Sequence, residues 1–197
     1  DAQVSAAIET LNRNINGQDA KFVSRTPDVF AAVVGRPHLE FRLATKDPSG
    51  NPTSGINRIQ SELTVVTEPR DQIKTLSYWN SYQYLNIWLV KALPATTGGV
   101  IVGYAQFPYG GSMSTDGVVC NAAQFANTAS TTLTHEVGHW LGLRHTWGDA
   151  LCGDDQVADT PPQRYSNGVG DNPGPLPTTN SFPYHVGLQN QGCNQFL

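Results

Sequence analysis

His135, Glu136, His139, Gly142 and His145 stand within eleven consecutive residues, His135-Glu136-Val137-Gly138-His139-Trp140-Leu141-Gly142-Leu143-Arg144-His145. Imidazole nitrogens bind metals, and a spacing of four puts His135 and His139 on one helix face, one turn apart. Both rings can then reach the same ion. Glu136 leaves the helix to one side, which suits a group that handles a water beside the metal rather than the metal itself. Gly142 can adopt the positive φ that stops a helix and turns the chain. That turn brings His145 round as a third ligand. Three protein ligands leave a fourth position open, the arrangement of a catalytic zinc site rather than a structural one. The plainer reading is a helix with surface histidines and a glycine cap. It must then treat as accident that three of the chain's five histidines fall in this one stretch.

Such a helix needs an anchored start and a buried face. Thr131, Thr132 and Thr134 offer capping hydroxyls, so the helix is expected to begin near Thr131, with Val137, Leu141 and Leu143 packing it into a core. Upstream, Val4, Ala7, Ile8, Leu11 and Ile15 recur at helical spacing, an amphipathic opening helix that should back a sheet. The alternation Leu39, Phe41, Leu43 reads as a half-buried strand. Asp47-Pro48-Ser49-Gly50-Asn51-Pro52 reads as a turn. Glu62 to Thr67, Tyr84 to Val90 and, after Gly98-Gly99, Val100 to Phe107 read as further strands. From Gly148 the texture changes: glycine, proline, asparagine and aspartate dominate through Asn180 without periodicity. So long a loop needs staples. Asp154, Asp155 and Asp159 offer hard oxygen ligands for calcium within six residues, the alternative being a solvated acidic turn.

At 197 residues the chain suits one domain with two lobes, 1–145 carrying the motif helix and 146–197 forming a partial second lobe. A net charge of −4 and the lack of any Lys/Arg run argue against a nucleic-acid or anionic-membrane partner. No apolar run reaches membrane-spanning length. Asp1-Ala2-Gln3-Val4 is not a signal peptide and reads as a mature or trimmed start. Of the three cysteines, Cys152 and Cys193 are the preferred disulfide pair, closing the loop after the motif, and Cys120 reads as a buried thiol; three free thiols are the alternative. No Asn-x-Ser/Thr acceptor is present, because Asn51 precedes proline, so secretion from a bacterium fits better than a glycosylating pathway. His38 and His185 read as surface or core residues, and Trp79, Trp88, Trp140 and Trp147 as core aromatics, with Trp147 also placed to line a cleft.

The eleven-residue motif resembles the metzincin zinc endopeptidases, and its surroundings resemble the pappalysin family among them. Gly103-Tyr104-Ala105-Gln106-Phe107-Pro108 and Thr115-Asp116-Gly117-Val118-Val119 are similar to that family's upper-rim strand and the segment after it. Asp155-Gln156-Val157-Ala158-Asp159-Thr160-Pro161 is similar to its calcium-binding segment, and Phe41-Arg42-Leu43-Ala44 with Gly50 to Ile56 to its early strand and turn. The likeness runs from about Leu39 to Pro161.

The resemblance implies an α+β fold: a twisted, mostly parallel sheet with a backing helix and an active-site helix above an irregular lower lobe. It implies one catalytic zinc on His135, His139 and His145, with Glu136 as general base. A structural calcium on Asp155, Val157, Asp159 and Thr160 and an extended substrate along Gly103, Tyr104, Ala105 and Gln106 complete the implied site. The activity implied is secreted endopeptidase action on protein or peptide substrates. One departure stands out: metzincins carry a methionine turn downstream of the third histidine, whereas Met113, the single methionine, lies upstream. The expectation is therefore a chain cut short before that turn, with a catalytically silent zinc- and peptide-binding fragment as the alternative.

Overall fold

The computed structural model describes residues 1–158, apart from residues 27, 32–33, 68, 96–99 and 151–152. Its helices are α1 (Ala2–Ile15), α2 (Ala20–Arg25), α3 (Asp28–Ala31), α4 (Ala122–Ala126) and α5 (Thr132–Trp140); its strands are β1 (Ile87–Val90), β2 (Gly103–Ala105) and β3 (Val118–Asn121). The chain divides after Leu141 into a unit Asp1–Leu141, which holds all these elements, and a unit Gly142–Leu197. Among the described residues, the second unit consists of turns and irregular backbone, as the loss of periodicity beyond Gly148 predicts.

Three strands form a mixed sheet of order β1-β3-β2. β1 runs parallel to β3, with Ile87 opposite Val118 and Val90 opposite Asn121, while β2 runs antiparallel, with Gly103 opposite Cys120. Val118, Val119 and Cys120 are fully buried because apolar groups cover β3 on both faces. Val118 and Cys120 face a core built with Ala7 and Leu11 of α1, Phe125 of α4, and Leu133 and Val137 of α5. Val119 faces the other side, with Val66, Ile73, Trp88, Val90 and Leu93. The opening helix thus backs the sheet as its spacing predicts, Val4, Ile8 and Ile15 flanking the buried pair.

Two predicted strands are not strands. The segment around Leu39, Phe41 and Leu43 is irregular, because asparagine side chains of α1 and its C-terminal end occupy its main-chain groups. Asn12 donates from Nδ2 to the Phe41 carbonyl at 2.9 Å and accepts from the Phe41 N–H at 2.7 Å, and Asn16 donates to the Leu39 carbonyl at 2.8 Å. Phe41 and Leu43 are half-buried as the alternation predicts, whereas Leu39 is exposed and none of the three pairs in a sheet. Glu62–Thr64 forms a 3-10 turn, capped by the Ser61 hydroxyl accepting from the Leu63 N–H; only Val65 bridges onward, to Ala92. The remaining strand predictions contract to Ile87–Val90 and Gly103–Ala105.

Candidate metal centre

α5 presents one face to the core and carries His135 and His139 on another. Its start is tied by a hydroxyl one residue earlier than expected: the Ser130 Oγ accepts from the Thr132 N–H at 3.2 Å, and Thr131 makes no capping bond. Leu133 and Val137 are buried at 7% and 0% exposure, which fixes the helix's rotation. Asn14 of α1 adds a polar tie, donating to Thr134 Oγ1 at 3.1 Å. Leu141 and Leu143 do not join the core; they are 41% and 57% exposed. The helix ends at Trp140 and Gly142 turns at φ 98°, so the helical phase that would have buried them is lost. Trp140 packs there instead, and its Nε1–H donates to Asp116 at 3.1 Å.

With the inner face fixed, His135 and His139 share the other. Their Nε2 atoms lie 3.0 Å apart and the rings meet edge-on at 83°. Two nitrogens bound tetrahedrally to one zinc stand about 3.4 Å apart, from bonds of about 2.0–2.1 Å, so this spacing fits a shared ion. Along the same eleven-residue stretch, ligand nitrogens of His135, His139 and His145 all fall within 4.8 Å of one another. Among the described residues no other group of His, Cys, Asp or Glu side chains gathers in this way. The donor set is three borderline-soft imidazoles, which suits zinc. Phe107, two residues past β2, packs its ring 5.1 Å from that of His139.

Glu136 is only 6% exposed. Its carboxyl is pushed up to about 7 by burial, since loss of water disfavours the charged form. The strand beside it must be bare: a Cβ on Gly103 would stand 2.8 Å from Glu136 Cγ and 2.9 Å from its Oε1. The Cys120 thiol, buried among the core residues, is pushed up to about 12, first by burial and then by the Glu136 charge, which makes it inert.

The structure places Gly103, Tyr104 and Ala105 on the edge strand of the described sheet. Two of the predicted substrate residues turn their side chains elsewhere. Tyr104 donates from its hydroxyl to the Arg70 carbonyl at 2.9 Å, and Gln106 binds Thr115 Oγ1 at 2.6 Å and the Ser112 carbonyl at 3.1 Å. The strand therefore offers main chain rather than side chains.

In the second unit, Asp155 is buried, and the carboxylates of Asp154 and Asp155 accept from the N–H groups of Gln156 and Val157. Asp159, Thr160, Cys152 and Cys193 lie outside the described residues. A residue missed at the sequence level is Asp149, whose Oδ1 lies 2.5 Å from His145 Nδ1. Its offset of four from the histidine was the available signal. The role of Gly103 beside Glu136 was also missed, because two residues 33 positions apart give no local pattern.

The family model described as Pregnancy-associated plasma protein-A matches residues 68–191. An extracellular metalloprotease of Verticillium alfalfae is 35% identical over 141 residues, covering 64% of this chain and 45% of the relative. One of Arthroderma otae is 30% identical over 141 residues, covering 66% of this chain and 47% of the relative. The chain thus spans about half or less of the length of these relatives. Among solved structures, Tannerella forsythia mature mirolysin in complex with a cleaved peptide superposes with a TM-score of 0.74 and 38% identity, covering 85% of this chain and 66% of that one.

Proposed function

Because the chain belongs to the pappalysin family, typified by Pregnancy-associated plasma protein-A, we propose that it is the catalytic part of a secreted zinc endopeptidase acting on internal peptide bonds. The observation supporting this most directly is the gathering of His135, His139 and His145 around one point, with the buried Glu136 next in sequence to the first of them. The three histidines would hold a zinc ion, which would supply a Lewis acid for polarising the scissile carbonyl and the attacking water. Glu136 takes a proton from the attacking water on its carboxylate and returns it to the leaving amine. Its burial shields that carboxylate from bulk water. Gly103 leaves that carboxylate its space, and the main chain from Gly103 to Gln106 pairs with an extended protein or peptide substrate. Secretion is supported by the naming of relatives as extracellular metalloproteases.

Calcium on Asp155, Val157, Asp159 and Thr160, and a Cys152–Cys193 disulfide, are the structural supports we propose for the second unit. The burial of Asp155 favours the first, since the hydrogen bond it accepts from the Val157 N–H does not neutralise a buried charge as a cation would.

Digestion of a mixed peptide library by the 197-residue chain tests the reading. Cleavage that is lost on chelation and regained with zinc is expected. Zinc uptake without cleavage would favour a silent metal- and peptide-binding piece, a reading the partial coverage of the relatives keeps in play. Neither uptake nor cleavage would end the proposal.

A further inference from the structure

His145 follows the glycine turn in irregular backbone, so no helix ladder orients its ring. Two side chains do. The imidazole lies flat on Trp147, with ring centroids 4.3 Å apart and planes 5° from parallel. Its Nδ1 meets Asp149 Oδ1 at 2.5 Å. The backbone delivering that carboxylate is unusual. Asp149 sits in the left-handed region at φ 55°, where few residues other than glycine settle. Gly148 before it is also left-handed, at φ 59°, and a Cβ there would stand 2.4 Å from the Asp154 nitrogen. Asp149 is 61% exposed, so as an ion pair it does little for stability. What it fixes is a ring orientation.

We propose that Asp149 is a positioning residue for the third histidine, its carboxylate accepting the Nδ1–H of His145 so that Nε2 is the nitrogen presented to the metal. A carboxylate at Nδ1 selects the tautomer with a lone pair on Nε2, removes rotational freedom from the ring and raises the basicity of the ligating nitrogen. The stack on Trp147 restrains the remaining tilt. The inference rests on the zinc site proposed above and assigns to its second unit a residue outside the three-histidine motif.

The test is zinc affinity, by competition with a chromophoric chelator, for the unmodified chain, Asp149→Asn and Asp149→Gly. Glycine keeps the left-handed backbone and removes the carboxylate, so folding is spared; circular dichroism and thermal midpoint of the zinc-free proteins check this. Zinc binding should weaken about 10- to 100-fold in Asp149→Gly. Asp149→Asn, which retains a neutral acceptor, should fall between the two. Unchanged affinity in a folded Asp149→Gly chain overturns the proposal alone. An unmodified chain that takes up no zinc overturns the site itself, and the proposal with it.

Discussion

The first two histidines and the third are held in place by different physics. His135 and His139 ride on α5, whose opposite face is locked by Leu133 and Val137 into the core under β3. Their direction is a consequence of burial on the far side of the helix. His145 lies beyond the helix, and its ring meets a stacked tryptophan and a carboxylate within four residues of it. One part of the proposed ligand set is therefore a tertiary product and the other a local one. Changes to the core should disturb the first pair through stability, whereas changes to the turn should disturb the third ligand through affinity while the fold survives.

The largest separation between the two is expected for the ligands themselves. His139→Ala should abolish both tight zinc uptake and peptide cleavage, measured by metal analysis and peptide assay. Truncating the core face comes next. Leu133→Ala should lower unfolding free energy by about 2–5 kcal/mol in denaturant titration, with zinc still bound by the folded fraction. A small loss would mean that α5 is not held as described. Gly103→Ala probes the strand side of the same helix. Its Cβ must displace the Glu136 side chain, so kcat should fall by up to about 100-fold with KM and zinc content little changed, since a misplacement of about 1 Å has such an effect.

pH separates the regions further. In the zinc-stripped protein the Glu136 carboxyl holds its proton up to about 7, above the ordinary value of 4.5. The folded state then binds that proton more tightly than the unfolded chain. Its stabilising contribution is full below pH 4.5 and is lost as pH rises through about 7. Thermal midpoints across that window should decline in the unmodified chain and flatten in Glu136→Gln. The smallest effect belongs to the exposed side chains after the helix. Leu141→Ala and Leu143→Ala should each change stability by no more than about 0.5 kcal/mol.

The sequence made the local features readable and hid those made by distant contacts. The motif, the opening helix and the glycine stop are short-range patterns, and each appears where its spacing predicts. Leu39, Phe41 and Leu43 alternate as a strand does, yet their segment is held by Asn12 and Asn16, whose asparagine side chains carry no sign of the strand they replace. Leu141 and Leu143 fit the helical period but lie beyond the helix's end. Gly103 looked like part of a substrate strand, and its tight fit against Glu136 could be found only once β2 and α5 were brought together. Asp149 was within reach of sequence reasoning through its spacing from His145, but only the stacked, left-handed turn gives that spacing a meaning.

The most direct test of the central claim is to measure zinc content and peptide turnover together in the unmodified chain and in Glu136→Gln. One zinc per chain in both proteins, with turnover in the variant lowered about 100- to 10,000-fold, is the result expected of a general base beside an intact metal site. Near-full turnover in Glu136→Gln, or an unmodified chain that cleaves peptides without zinc, would contradict it.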